Sequence, residues 1–72
     1  MAINYAYHYA EIDPVDNMCI AVQTTTREID LTEYPEMVEI PVYDEEYICK
    51  YYINGAWYED PEGTIPWTSS LL

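Results

Sequence analysis

The chain has 72 residues, 14 of them acidic against one Lys and one Arg, for a formal net charge of -12. That balance excludes charge-driven binding to phosphate backbones or anionic lipid, and the length allows one domain. Half of the residues are still apolar or aromatic, with nine Tyr, two Trp and no Phe, which excludes a disordered acidic tail.

A core this small supports only about 3–5 kcal/mol by itself, so such chains often borrow stability from a disulfide, a metal or a partner. Tyr and Trp in place of Phe suit half-buried positions, where a ring packs and its polar tip reaches water. The start, Met1-Ala2-Ile3-Asn4, has neither a basic nor an apolar leader region. No stretch approaches the roughly 20 apolar residues of a spanning helix. The compartment expected is therefore the cytosol, where Cys19 and Cys49 read as reduced, small core residues. A disulfide between them requires their strands to pair.

The first predicted element is a strand over Asn4 to Ile12, "NYAYHYAEI". Tyr5, Tyr7, Tyr9 and Glu11 share one face; Ala6, His8, Ala10 and Ile12 share the other. The small face lets another layer pack close, and the Tyr row suits either a core or a contact face. Asp13 to Asn17 reads as a turn, with Asp and Asn accepting from nearby amides and Pro14 setting the corner. Met18 to Thr25, "MCIAVQTT", is the second strand and completes a hairpin.

Thr26 to Glu36 is polar and irregular, a surface connection bent around Ile29 and Leu31. Met37 to Val42 reads as a short strand. Pro41 cannot donate to a ladder, so this strand lies at an edge or ends there. Tyr43 to Cys49 reads as one helical turn with Asp44 as N-cap and Glu45 and Glu46 at its positive end. In "KYYINGAWYED", Asn54-Gly55 between two aromatic runs is a strong signal for a tight hairpin. Glu59 to Leu72 has no clear period and reads as an extended tail. Its Ile65, Trp67, Leu71 and Leu72 are apolar, so the tail either folds back over the sheet or docks on a partner. The expected architecture is mainly β: a small antiparallel sheet of two hairpins plus an edge strand, one short helical turn and a tail. Residues 1–60 form the single small β domain and 61–72 the tail.

No catalytic constellation stands out. His8 is the lone His, and a nucleophile–base pair or a metal cage needs more partners than it has. Neither Asp13, Asp16 and Asn17 nor Asp44, Glu45 and Glu46 matches a calcium loop. The expectation is a non-enzyme with no cofactor and no metal, working through surfaces. Tyr5, Tyr7, Tyr9, Tyr51, Tyr52, Trp57 and Trp67 exceed what a core of this size needs, and such residues are enriched at protein contacts. With Ile65, Leu71 and Leu72 they form the candidate partner-binding set.

The order of pieces resembles a small module of tail-fibre, receptor-binding and other tail-associated proteins of bacteriophages and prophages. The resemblance rests on Pro35, Met37, Ile40, Pro41, Tyr43, Asp44, Glu45, Lys50, Tyr52, Asn54, Gly55 and Trp57, and covers about residues 5 to 60. The family pattern often carries Gly where this chain has Cys49 and Asn where it has Glu36, and the module is usually one piece of a longer protein. The resemblance implies a virion-associated structural role after synthesis in the bacterial cytoplasm. It also implies contacts with other copies of the chain and with another phage protein. The alternative is a small acidic phage-encoded inhibitor that imitates nucleic acid toward a basic host enzyme. Clustering of Glu28, Asp30, Glu33, Glu36 and Glu39, with Asp44 to Glu46 close after, keeps that reading open.

Overall fold

A computed structural model describes residues 6–72. Its architecture is mainly β, as the alternation and turn signals predict. Five strands run in order: β1 (Tyr7–Ile12), β2 (Cys19–Thr25), β3 (Met37–Ile40), β4 (Tyr51–Ile53) and β5 (Ala56–Tyr58). A 3₁₀ turn at Glu45–Tyr47 lies between β3 and β4. Asn4 and Tyr5, which begin the predicted first strand, lie outside the described residues.

The first three strands form one antiparallel sheet in the order β2-β1-β3, so the first strand of the chain is its centre. Tyr9 sits between Gln23 and Glu39, and Ala10 between Val22 and Val38. The turn between β1 and β2 forms as its Asx residues dictate. Asp13 Oδ1 accepts from the Val15 amide at 2.9 Å, Asp16 Oδ1 accepts from Met18 at 3.1 Å, and Asn17 takes φ 65. A bulge between Glu11 and Ile12 lets Ile12 face Cys19. The third strand stops at Ile40, one residue before Pro41, on an outer edge of the sheet.

The second layer is the Asn-Gly hairpin. Asn54 at φ 51 and Gly55 at φ 84 give the two left-handed positions a type I′ turn requires. The hairpin is tied to the start of β2: the Cys19 amide donates to Lys50 O at 2.8 Å and the Tyr52 amide to Asn17 O at 2.9 Å.

Between these layers sits the core. Ala10, Ile12, Cys19, Ile40 and Tyr47 are buried together, flanked by Val22, Val38, Val42, Tyr52, Trp57 and Trp67. Ala10 belongs to the small face of β1, and its lack of bulk leaves room for the aromatic layer. The molecule measures 46 × 29 × 16 Å, thin enough that few side chains escape water completely.

Candidate contact surfaces

Tyr47 organises the aromatic layer. Its ring meets Trp57 and Trp67 edge-on, each at 4.8 Å between centroids, and Tyr52 packs against Trp57 at 5.0 Å. Such pairs add about 0.5–1.5 kcal/mol each beyond the area they bury. Burial pushes the Tyr47 hydroxyl up from its ordinary pKa, and the Asp44 carboxylate adds to the push. Lys50 Nζ lies 5.1 Å from the centre of the Trp67 ring, a cation–π contact.

The tail reaches this layer because two aspartates hold it there. Asp60 accepts from the Thr64 and Ile65 amides, both at 2.9 Å, and from the Thr64 hydroxyl. That staple turns the chain back so that Ile65–Trp67 run beside β5. The Glu59 amide donates to Ile65 O at 2.8 Å and the Trp67 amide to Trp57 O at 3.0 Å. Asp44 then fixes the end. Its Oδ1 accepts from the Glu46 amide at 2.9 Å, capping the 3₁₀ turn, and its Oδ2 accepts from the Ser69 hydroxyl at 2.5 Å. These hydrogen bonds favour the ionised forms, so both carboxyls fall below their ordinary pKa, Asp44 through Ser69 first and Asp60 through Thr64 first.

The candidate contact residues therefore divide. Tyr5 lies outside the described residues. Tyr9 is fully buried, so it is corrected from contact residue to core residue: its hydroxyl accepts from the Ile29 amide at 2.8 Å. Tyr7, Tyr51, Tyr52, Trp57 and Trp67 are half-buried, most of their surface spent inside the molecule. Ile65, Leu71 and Leu72 remain 51%, 60% and 65% exposed. Leu72 also lines an open groove of about 380 Å³ with Pro41, Tyr47, Trp57, Pro66 and Trp67. This groove, with the exposed Leu72 in its wall, is the first candidate surface.

A second surface covers the opposite face of the three-stranded sheet. Residues 26–36 cross it, and Ile29 separates two shallow grooves. One, about 470 Å³, is lined by Glu28, Asp30, Leu31 and Glu39 beside Tyr9. The other, about 340 Å³, is lined by Glu11, Gln23, Tyr34, Glu36 and Met37. Leu31 and Tyr34 are exposed among these carboxylates.

His8 shares a hydrogen bond through Nδ1 with Thr24 Oγ1 at 2.8 Å and lies 6.5 Å, edge-on, from Tyr43. Among the described residues, no three His, Cys, Asp or Glu side chains converge as a metal set. Ser69 was not evident as a functional partner from sequence, because nothing local to "TSSLL" signals a bond to Asp44. The Asp60 staple was better marked: an Asp four residues before a Thr, with Gly63 between them at φ 70. Compared with known proteins, the chain matches no family model, no curated protein and no solved structure.

Proposed function

We propose that this chain is a non-catalytic protein-contact module that assembles with copies of itself and with another protein. The resemblance to phage and prophage tail-associated modules gives that assembly its setting, a tail-accessory role in the virion. The observation that carries the reading is the Trp–Pro groove lined by the exposed Leu72, with Ile65 and Leu71 also exposed in the same tail. The chain withdraws most of its aromatic surface into its own core and leaves these aliphatic side chains in water. Exposed apolar groups around a groove are the usual raw material of a protein interface.

The test is solution mass by light scattering on a sizing column, at low and high salt. A dimer or trimer that persists at high salt supports the reading, because apolar contacts survive screening that weakens ionic ones. Leu71→Ser with Leu72→Ser then converts it to a monomer without lowering the melting temperature of the monomer fold. A monomer at both salts counts against self-assembly.

A second reading has its own support. Glu28, Asp30 and Glu39 are exposed around one groove with the exposed Leu31, and Glu33 and Tyr34 are exposed in the same connection. That combination suits a basic partner, such as a host nucleic-acid-binding enzyme for which this chain would act as an inhibitor. Neutralising substitutions at Glu28, Asp30, Glu33, Glu36 and Glu39 that leave all partner binding intact would remove this reading and spare the first.

A further inference from the structure

We infer that Cys49 and Cys19 form a reversible thiol–disulfide site, with Cys49 as the entry thiol and Cys19 as the resolving thiol. The inference stands apart from the contact reading, since it concerns chemistry within one chain. The start of β2 and the turn before β4 bring the cysteines together. The Cys49 amide donates to Cys19 O at 2.9 Å, and the Cys19 amide donates to Lys50 O at 2.8 Å. Cys49 and Lys50 together oppose Cys19 as a bulge beside the Met18–Tyr51 bridge, so one backbone hydrogen bond separates the two cysteines. A disulfide spans roughly 4.4–6.8 Å. Both thiols are free, Cys19 buried and Cys49 exposed.

Cys49 occupies an unusual position. Ile48 at φ -62, ψ 131 and Cys49 at φ 75 form the centre of a type II turn, closed by the Lys50 amide donating to Tyr47 O at 2.9 Å. The third residue of such a turn favours Gly. A side chain there is strained, and here that side chain is a thiol open to solvent, on a residue whose amide bonds to the other cysteine's carbonyl.

The chemistry balances with a small disulfide as oxidant, such as oxidised glutathione. The Cys49 thiolate attacks one of its sulfurs, forms a mixed disulfide and releases one glutathione thiolate. Cys19 gives up its proton to solvent base and attacks the Cys49 sulfur. The Cys19–Cys49 bond forms and the second glutathione thiolate leaves. Two protein thiols are oxidised, and one glutathione disulfide is reduced to two thiols. Closure costs Cys19 its weak bond to Ala21 O at 3.3 Å. Burial, with a smaller push from the nearby Cys49 sulfur, holds the Cys19 thiol above its ordinary pKa. Ring closure should therefore be slow at neutral pH and accelerate as pH rises.

The full chain is incubated with oxidised glutathione across a pH series, quenched with acid, and read by intact mass and peptide mapping. The expected product is a monomer lighter than the reduced chain by two hydrogens, with a Cys19–Cys49 crosslink. It should melt higher than the reduced form by on the order of 10 °C, because the bond closes a loop of roughly 30 residues. In Cys19→Ala, the mixed disulfide accumulates at Cys49. A wild-type adduct on Cys49 that never resolves, disulfides between chains, or no reaction at alkaline pH would each overturn the inference. The wild-type result decides the matter even if Cys19→Ala fails to fold.

Discussion

The three-stranded sheet packs its two faces by different means. On the face that carries Ala10, Ile12 and Ile40, the 3₁₀ turn, the Asn-Gly hairpin and the returning tail build a layer of interlocking rings around Tyr47. On the face that carries Tyr9, Glu11 and Glu39, a single irregular connection supplies the cover, fastened to Tyr9 by one amide-to-hydroxyl bond. Small side chains on a strand invite large partners from elsewhere. A large side chain on a strand fills its own space and needs only a thin lid. The first face gains most of its stability from burial and leaves an apolar rim. The second gains less and presents carboxylates to water.

Substitutions should separate the two faces. The largest effect is expected from Tyr47→Ala, which removes the ring that both tryptophans contact. Losses of about 3–5 kcal/mol are typical for a buried aromatic, comparable with the whole stability of a chain this size. Thermal or urea melts should show the variant largely unfolded at 25 °C. A cooperative fold with a midpoint near wild type would mean the aromatic layer is not the main source of stability.

Tyr9→Phe probes the other face. It keeps the ring and removes the acceptor of the Ile29 amide, a loss of about 1–2 kcal/mol. Amide exchange should speed up at Ile29 and its neighbours while the aromatic layer stays protected. Equal acceleration in both layers would show that the two faces unfold as one.

The tail clamp should show itself in acid. The folded-state pKa of Asp44 lies below the ordinary carboxyl value, with the Ser69 hydroxyl as the first cause. Its contribution to stability is therefore fully present above the unfolded pKa, about 3.9. It is lost as pH falls through the lower folded value. Ser69→Ala should melt below wild type at neutral pH, by less than Tyr47→Ala, and the gap between the two proteins should close as pH drops below about 4. A gap that stays constant with pH would mean that the clamp does not depend on the charge of Asp44.

Cys49→Gly should raise stability by about 0.5–1 kcal/mol, by relieving a left-handed backbone at the cost of some unfolded-state entropy. It also abolishes crosslinking. The smallest change is expected on the acidic face. Single Glu→Gln substitutions at positions 28, 33 and 39 should move the melting midpoint by no more than about 2–4 °C. Larger losses there would show that the acidic connection holds the fold as well as covering it.

Much of the architecture was legible because its signals are local. Alternation in "NYAYHYAEI" marks a strand, Asn54-Gly55 marks a hairpin, and Asp44 before two glutamates marks a capped turn. Pro41 ends β3 for a reason visible in one residue. The contact residues were less legible. Tyr9 and Tyr7 look alike in sequence, yet one is fully buried and the other half-buried, because residues 26–36 fold over one of them. Trp67 reads as a free anchor until Tyr47 is seen against it.

Composition and local pattern, then, determined that this chain is a small acidic β protein with a turn at each of its main corners. Backbone preference acts over a few residues, and that range is enough to fix strands and turns. Tertiary structure alone decided which face of β1 became the core. It also set Cys49 beside Cys19 and joined Asp44 to Ser69, leaving Leu71 and Leu72 outside. Those outcomes depend on segments far apart in the chain meeting in space, and no short stretch of sequence carries that information.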